Sequence, residues 1–160
     1  MPKRSAGILP FRKSKNELQV LLVHPGGPFW RKRDEGAWSL AKGEYGETEV
    51  ASAAARREFK EETGWDVAQD MHPLGEIRQA GGKYLTAFAV EAAFDPKSFV
   101  SNSFELEWPP RSGRSQSFPE VDQVAWFSLI EARRKILPSQ EPLLDRLEEL
   151  LARLERRAFS

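Results

Sequence analysis

A helix predicted over residues 48–63 constrains the fold of this sequence more than any other segment. Thr48 can act as an N-cap by accepting a hydrogen bond from the first turn, and residues 51–57 are rich in helix-forming alanine and arginine. Gly64 suits the position just past the last turn, where the chain adopts a left-handed conformation. The sequence therefore predicts a helix with a defined start and end, whose acidic residues gather in its last two turns.

Three of these acidic residues, Glu58, Glu61 and Glu62, lie on one face of the predicted helix. At 100° per residue they fall within an arc of about 100°. Like charges at this spacing cost a few tenths of a kcal/mol per pair, and each carboxylate also meets the negative end of the helix dipole, at roughly 0.3–1 kcal/mol. A hard divalent cation bound through oxygen, Mg²⁺ first and Mn²⁺ second, would offset this cost. The alternative is a solvated acidic face that neighbouring basic residues partly neutralise.

Residues beside this acidic face are consistent with an ion or phosphate site. Residues 43–47 lead directly into the helix, and Gly43 and Gly46 allow the backbone to pass close to a bound ion or phosphate. Arg57 precedes Glu61 by four residues, so its guanidinium can hold one carboxylate in place without occupying a metal site.

The composition excludes several classes of protein. The length of 160 residues corresponds to one domain, expected over residues 1–160. Because 24 Lys and Arg balance 24 Asp and Glu, no global charge favours nucleic acid or an anionic membrane. Without cysteine there can be no disulfide, thiolate zinc site or iron–sulfur cluster, and two histidines are too few for a histidine-rich metal centre. No apolar run approaches a membrane span and no signal peptide is evident, so we expect a cytoplasmic protein with no membrane partner.

Short apolar runs on both sides of the helix predict β-strands. They cover residues 6–11, 18–23, 37–40, 74–80, 84–92 and 121–127, and Gly81 and Gly82 join the fourth and fifth in a hairpin. Residues 95–119 are predicted to be irregular. A capping box from Ser128 to Glu131 begins a short helix, and a last helix from about Ser139 carries a leucine stripe. Strands interleaved with helices predict an α/β or α+β sandwich.

The segment from Gly43 to Trp65 resembles a complete Nudix box. Its pattern is G-x5-E-x7-R-E-U-x-E-E-x-G-U, where U is bulky and apolar, and every fixed position matches over 23 residues. Trp65 is larger than the aliphatic residue common there, and Ala41 stands where many members have proline. The resemblance implies the Nudix fold, an α/β/α sandwich with a mixed central sheet, and covers most of the chain.

The resemblance also implies the chemistry. Nudix proteins mostly hydrolyse a nucleoside diphosphate linked to another group, by attack of water on one phosphorus. Carried over by position, Glu58, Glu61, Glu62 and the Gly43 carbonyl would ligate Mg²⁺ or Mn²⁺. Arg57 would orient a box glutamate, and Glu49 would be mainly structural.

The general base stays open at this point. A box carboxylate, Glu61 or Glu62, is one candidate, and a glutamate from a later loop is the other, as in many family members. Glu120 is the preferred outside candidate, while Glu105 and Glu107 compete with it.

Substrate contacts are expected from basic and aromatic residues near the box. Lys42 directly precedes Gly43 and is a candidate phosphate contact. Lys83 and Tyr84 are similar to the basic and aromatic pair that some dinucleoside polyphosphate hydrolases use. Trp30 and Trp108 lie in predicted loops, where they could stack on a base.

These features lead to a metal-dependent hydrolase of a nucleotide, with a dinucleoside polyphosphate such as diadenosine tetraphosphate as the leading substrate. The alternatives are a nucleoside triphosphate sanitiser of the 8-oxo-dGTP type and a pyrophosphatase for ADP-ribose or nucleotide sugars. A non-catalytic nucleotide-binding module would be expected to lack box glutamates, and here none is missing. The zero net charge counts against nucleic acid as a partner. The chain is expected to be a monomer or a homodimer.

Overall fold

The computed structural model describes residues 3–158 and contains a mixed β-sheet with helices on both faces. In chain order the elements are β1 (Arg4–Ser14), β2 (Glu17–Pro25), β3 (Ala41–Glu44), α1 (Ala51–Thr63), β4 (His72–Arg78), β5 (Tyr84–Glu91), β6 (Ser103–Glu107), β7 (Ser115–Pro119), β8 (Val121–Ser128), α2 (Leu129–Lys135) and α3 (Pro142–Ala158). Short 3₁₀ turns cover Ala80–Gly82, Pro96–Ser98 and Pro138–Gln140. In the part of the chain that is described, no helix has both the length and the apolar character needed to cross a membrane.

The main sheet has the strand order β4-β5-β1-β2-β8, and β3 also pairs with β1. β1 runs parallel to β5, and every other pairing in this sheet is antiparallel. β2 pairs with residues 11–14 of β1, whereas β3 pairs with residues 5–8, so the two partners divide its length. This division places Gly43 opposite Ala6, near the middle of the sheet.

Each face of the sheet packs against its own helices. Helices α2 and α3 lie on one face. Three leucines of α3, Leu143, Leu144 and Leu147, are fully buried in a cluster with residues of β1, β2 and β5. On the other face lies α1, whose Ala54 and Phe59 are also fully buried. The predicted α/β/α sandwich with a mixed sheet is therefore confirmed, and the leucine stripe of the last helix forms core.

The structure corrects four local predictions. Residues 37–40, predicted as a strand, form only isolated bridges at Trp38 and Ser39. Helix α1 begins at Ala51, and Val50 occupies the N-cap position without a side-chain capping hydrogen bond. The prediction that Thr48 caps the helix is therefore wrong. The box loop begins as a strand, since residues 41–44 form β3. Residues 95–119, predicted to be irregular, contain the antiparallel hairpin of β6 and β7. The alternation of Phe104 and Leu106 with acidic residues is a strand signal, but the prolines and glycine of the connection obscured it.

Candidate active site

The C-terminal end of α1 is covered by a later segment of the chain, which brings Glu120 towards the helix. Gly64 ends the helix with φ 82°, and its N–H donates to the Lys60 carbonyl. The carbonyl of Glu61, free at this end of a helix, accepts a 2.9 Å hydrogen bond from the N–H of Asn102. The Asn102 carbonyl in turn accepts a 2.7 Å bond from the Glu120 N–H. The unpaired backbone groups of the helix therefore dock the segment that carries Glu120.

Gly43 and Glu58 are in direct contact. A β-carbon built on Gly43 would lie 1.9 Å from Glu58 Oε2, so only glycine leaves room for the carboxylate at this position. Because Gly43 lies on β3, the sheet fixes this point of the box loop opposite the last turns of α1.

Arg57 joins three of the box carboxylates. Its Nε and Nη2 donate to the two oxygens of Glu49, both at 2.9 Å, in a bidentate pair. Its Nη1 donates to Glu58 Oε1 at 2.9 Å and to Glu61 Oε1 at 3.2 Å. The guanidinium lowers the pKa of Glu49, and the carboxylates raise the pKa of Arg57. Arg57 therefore ties Glu49, outside the helix, to Glu58 and Glu61 on it.

Glu62 lies on the side of the helix that faces a cavity. Burial raises its pKa to about 8, and the negative charges of Glu58 and Glu120 add to this effect, while Lys42 opposes it. Burial likewise raises the pKa of Glu58 and lowers the pKa of Lys42. The raised pKa values of Glu58 and Glu62 mean that, without a cation, the protein disfavours their ionised forms.

The donor set matches a hard divalent cation in its chemistry. Glu58, Glu61 and Glu62 offer oxygen ligands only, and the Gly43 backbone lies against one of them. Among residues 3–158, no three His, Cys, Asp or Glu side chains converge closely enough to form a ready metal cage. Two of the three box carboxylates, Glu58 and Glu61, instead contact the same nitrogen of the Arg57 guanidinium.

A cavity of about 230 Å³ brings together four of the residues singled out from the sequence: Trp30, Lys42, Glu62 and Glu120. Its remaining walls are mostly apolar and include Val23, Leu40, Val121 and Leu137. Trp30 belongs to the connection between β2 and β3, and Glu120 to the junction between β7 and β8. An aromatic residue, a lysine and two glutamates thus line one open cavity.

The other predicted residues lie outside this cavity. Lys83 pairs with Glu44 at 3.4 Å, and Tyr84 begins β5. Trp108 lies at the end of β6 and contacts Phe29 in a separate cleft. The competing base candidates on β6 have partners there: Glu105 accepts from the Ser115 hydroxyl, and Glu107 accepts from the Arg111 N–H.

Two buried polar residues that support the cavity were not identified from the sequence as part of the site. Gln140 is fully buried; its Oε1 accepts from the Leu40 N–H at 3.1 Å and its Nε2 donates to the Ser39 hydroxyl at 3.1 Å. His24 is also buried, with Nδ1 2.7 Å from Asp122 Oδ1 and Nε2 2.6 Å from the Arg33 carbonyl. No local pattern marks either residue, since their partners lie far along the chain or in a loop.

Comparison with known proteins places this fold and this box in one family. A model of the NUDIX domain matches residues 1–147. No curated protein matches the sequence closely enough to count as a relative.

Several solved structures share the fold. An Ap4A hydrolase of C. elegans in a binary complex is 22% identical, with 94% of this chain and 98% of that chain covered, at a TM-score of 0.62. The NUDIX domain of Shewanella oneidensis NrtR in complex with ADP ribose is 19% identical, with 94% and 89% covered, at a TM-score of 0.64. A mutT/nudix family protein of Listeria innocua is 19% identical, with 100% and 99% covered, at a TM-score of 0.65.

Nudix enzymes generally depend on a divalent metal, which agrees with the oxygen donors on α1. The match over residues 1–147, together with an intact box on the matching fold, shows that this chain belongs to the Nudix family and is a pyrophosphohydrolase.

Proposed function

We propose that this protein hydrolyses a phosphoanhydride bond of a dinucleoside polyphosphate such as diadenosine tetraphosphate, with Mg²⁺ or Mn²⁺ as cofactor. The observation that carries the proposal is the shared cavity of Trp30, Lys42, Glu62 and Glu120. A planar ring, a cation and acidic groups at a metal-binding helix end are the parts needed to hold a base, a phosphate chain and an attacking water.

The metal ligands in this proposal are the Gly43 carbonyl and the carboxylates of Glu58, Glu61 and Glu62. When bound, a divalent cation would neutralise negative charge on the phosphate oxygens and lower the pKa of the water it binds. Arg57 keeps Glu58 and Glu61 on the correct side of the helix through its contacts of 2.9 and 3.2 Å.

Glu120 is the proposed general base. It is exposed and lines the cavity, whereas Glu61 is engaged by Arg57 and burial favours a proton on Glu62 in the absence of a cation. The oxygen of water attacks phosphorus, its proton passes to the Glu120 carboxylate, and the bond from phosphorus to the bridging oxygen breaks. The bridging oxygen leaves as part of a phosphate group.

In the proposed binding mode, the ring of Trp30 stacks on the base of the nucleoside held in the cavity. Lys42 contacts the phosphates; its half-buried ammonium already interacts with the negative charge of Glu62. Lys83 is close enough to Lys42 to lower its pKa, so a long phosphate chain can meet both cations.

A single-nucleoside substrate is the second candidate, favoured by the small volume of the cavity, about 230 Å³, which suits one base. A nucleoside triphosphate of the 8-oxo-dGTP type and ADP-ribose both belong to this class. ADP ribose is the ligand named for the NrtR NUDIX domain, which has the same fold.

A substrate panel tests the proposal. Purified protein is incubated with Mg²⁺ and, in separate reactions, with diadenosine tetraphosphate, ATP, 8-oxo-dGTP and ADP-ribose, and the products are separated by chromatography. We expect the highest kcat/KM for diadenosine tetraphosphate; faster cleavage of the intact triphosphates or of ADP-ribose would overturn the substrate assignment.

Two amide variants test the roles of the carboxylates. Glu120→Gln should lower kcat by about 10²–10⁴-fold if Glu120 is the base. Glu105→Gln is the matched control, because Glu105 sits on the same hairpin segment but bonds to Ser115 rather than lining the cavity. Equal activity of both variants would contradict the assignment.

A further inference from the structure

A second cleft is lined by residues on either side of Trp30 in the sequence, together with Trp108. Its volume is about 310 Å³. It is lined by Pro28, Phe29, Arg31, Lys32, Arg33 and Trp108. The rings of Phe29 and Trp108 lie 5.4 Å apart between centroids at 81°, and Phe29 is 62% exposed. Phe29 therefore exposes most of its side chain beside the cations of the loop.

The charge around this cleft is positive and unpaired. The loop contributes three cations, Arg31, Lys32 and Arg33. The tip of the hairpin carries two more, Arg111 and Arg114, and the Trp108 N–H donates to the Arg114 carbonyl there. None of these five cations forms an ion pair with any residue between 3 and 158.

The acidic residues nearest in sequence to these cations have other partners. Asp34 pairs with Lys135 and Glu35 with Arg134, while Glu107 accepts from the Arg111 backbone. Three of these cations, Arg31, Lys32 and Arg33, line the cleft beside two aromatic rings. In a chain with zero net charge, this arrangement indicates an anionic aromatic ligand.

The walls of the cleft are held together by packing. A β-carbon on Gly27 would lie 3.0 Å from Phe104 Cζ, so β6 rests directly on the loop. The Gly26 N–H donates a 2.9 Å hydrogen bond to the carbonyl of Glu120, at the end of the same hairpin. These contacts hold the start of the loop, next to Phe29, against the hairpin that carries Trp108.

The cleft and the catalytic cavity share one wall. The guanidinium of Arg33, which lines the cleft, lies 5.5 Å from the ring centre of Trp30, which lines the cavity with Glu62. One cation of the cleft is therefore adjacent to the ring that lines the cavity.

We infer that this cleft binds a nucleotide, with the base against Phe29 and Trp108 and the phosphate near Arg31, Lys32 and Arg33, and that this nucleotide is the second half of a two-nucleoside substrate. The inference rests on the proposed function for its substrate. It explains how a cavity sized for one base can serve a ligand with two.

Two variants that leave the catalytic cavity intact test the inference: Phe29→Ala, and the double variant Arg31→Ser/Lys32→Ser. Their controls are Ile130→Ala, a side chain 80% exposed on α2, and Arg153→Ser, an exposed cation on α3 without a described ion pair. KM and kcat are measured with Mg²⁺ for diadenosine tetraphosphate and for ATP. We expect KM for diadenosine tetraphosphate to rise about tenfold in each test variant, with the constants for ATP unchanged.

Binding measurements separate this inference from the proposed function. Equilibrium dialysis of the inactive Glu62→Gln protein, with and without Phe29→Ala, uses diadenosine tetraphosphate and AMP as probes. Weaker binding of the two-nucleoside probe alone supports the inference, whether or not the wild-type protein cleaves that compound. An equal loss for AMP would mean that the cleft takes a free mononucleotide and would overturn the assignment to substrate. No change for either probe would overturn the site itself.

Discussion

The carboxylate of Glu58 rests against the α-carbon of Gly43, at a distance that leaves no space for a side chain. A β-carbon at Gly43 would lie 1.9 Å from Glu58 Oε2 and 2.6 Å from Oε1. The two residues belong to different elements, β3 and α1, which are joined by six residues of box loop. The contact therefore fixes how the helix end faces the sheet.

Substitution of this glycine should displace the carboxylate. We expect Gly43→Ala to lower kcat/KM by on the order of 10²-fold, because a shift of about 1 Å in a catalytic group has this effect. Gly46→Ala, in the same loop, is the matched control: a β-carbon there meets nothing within 4 Å. Steady-state kinetics on both variants check the prediction, and equal losses would indicate a general effect on the loop instead.

The box could be located from the sequence because its chemistry is local. Glu58, Glu61 and Glu62 lie within five residues, so helical periodicity alone puts them on one face. The sheet was also predictable in outline, since strands such as β1 and β2 have apolar runs bounded by turn residues.

Features that depend on distant contacts were not predictable in this way. The strand β3 forms because Gly43 pairs with Ala6, and Gly43 and Lys42 carry no strand signal of their own. Gln140 reaches Leu40 across 100 positions, and the hairpin tip with Trp108 meets Phe29 only in the folded chain. Tertiary structure, rather than local propensity, decides these contacts.

Arg57 should be sensitive even to a conservative change. Its guanidinium makes a bidentate pair with Glu49 and also reaches Glu58, a geometry that the single ammonium of lysine cannot reproduce. We expect Arg57→Lys to lower kcat by about 10-fold or more while the fold stays intact by circular dichroism. Arg56→Lys is the control, because Arg56 is exposed on the same helix without a described partner. Full activity of the Arg57 variant would show that the network is dispensable.

Glu62 makes the stability of the metal-free protein depend on pH. Its pKa of about 8 in the folded state lies above the ordinary value of 4.5, so the folded state holds a proton that the unfolded state releases. This contribution is full below pH 4.5 and is lost as pH rises through 8. Relative to Glu62→Gln, the wild-type protein in EDTA should lose roughly 2–3 kcal/mol of unfolding free energy between pH 6 and 8.

Thermal unfolding of both proteins in EDTA across pH 6–9 checks this prediction. Glu107→Gln serves as the control, because that carboxylate is exposed on β6. Mg²⁺ should restore the alkaline stability of the wild-type protein, since a cation binds the ionised carboxylate. Parallel curves for wild type and Glu62→Gln in EDTA would contradict the assigned burial of this group.

His24 connects the strand β8 to the loop that carries Trp30. Its Nδ1 lies 2.7 Å from Asp122 Oδ1, its Nε2 lies 2.6 Å from the Arg33 carbonyl, and its ring meets Trp38 edge-on at 5.2 Å. We expect His24→Ala to cost about 1–3 kcal/mol of stability, because it empties a buried position and removes the contacts to Asp122 and the Arg33 carbonyl. The loop should also lose its contact with His24, so KM for the nucleotide should rise several-fold. The decrease in kcat should be smaller than this rise in KM.

His72→Ala is the matched control, because His72 begins the edge strand β4 and is only partly buried. Denaturant unfolding and steady-state kinetics are measured on both variants, with His24→Gln as a variant that keeps one hydrogen-bonding arm. If His24 positions the Trp30 loop, KM should rise less in His24→Gln than in His24→Ala. A uniform drop in the active fraction, with KM unchanged in both variants, would mean that His24 supports the fold without positioning the site.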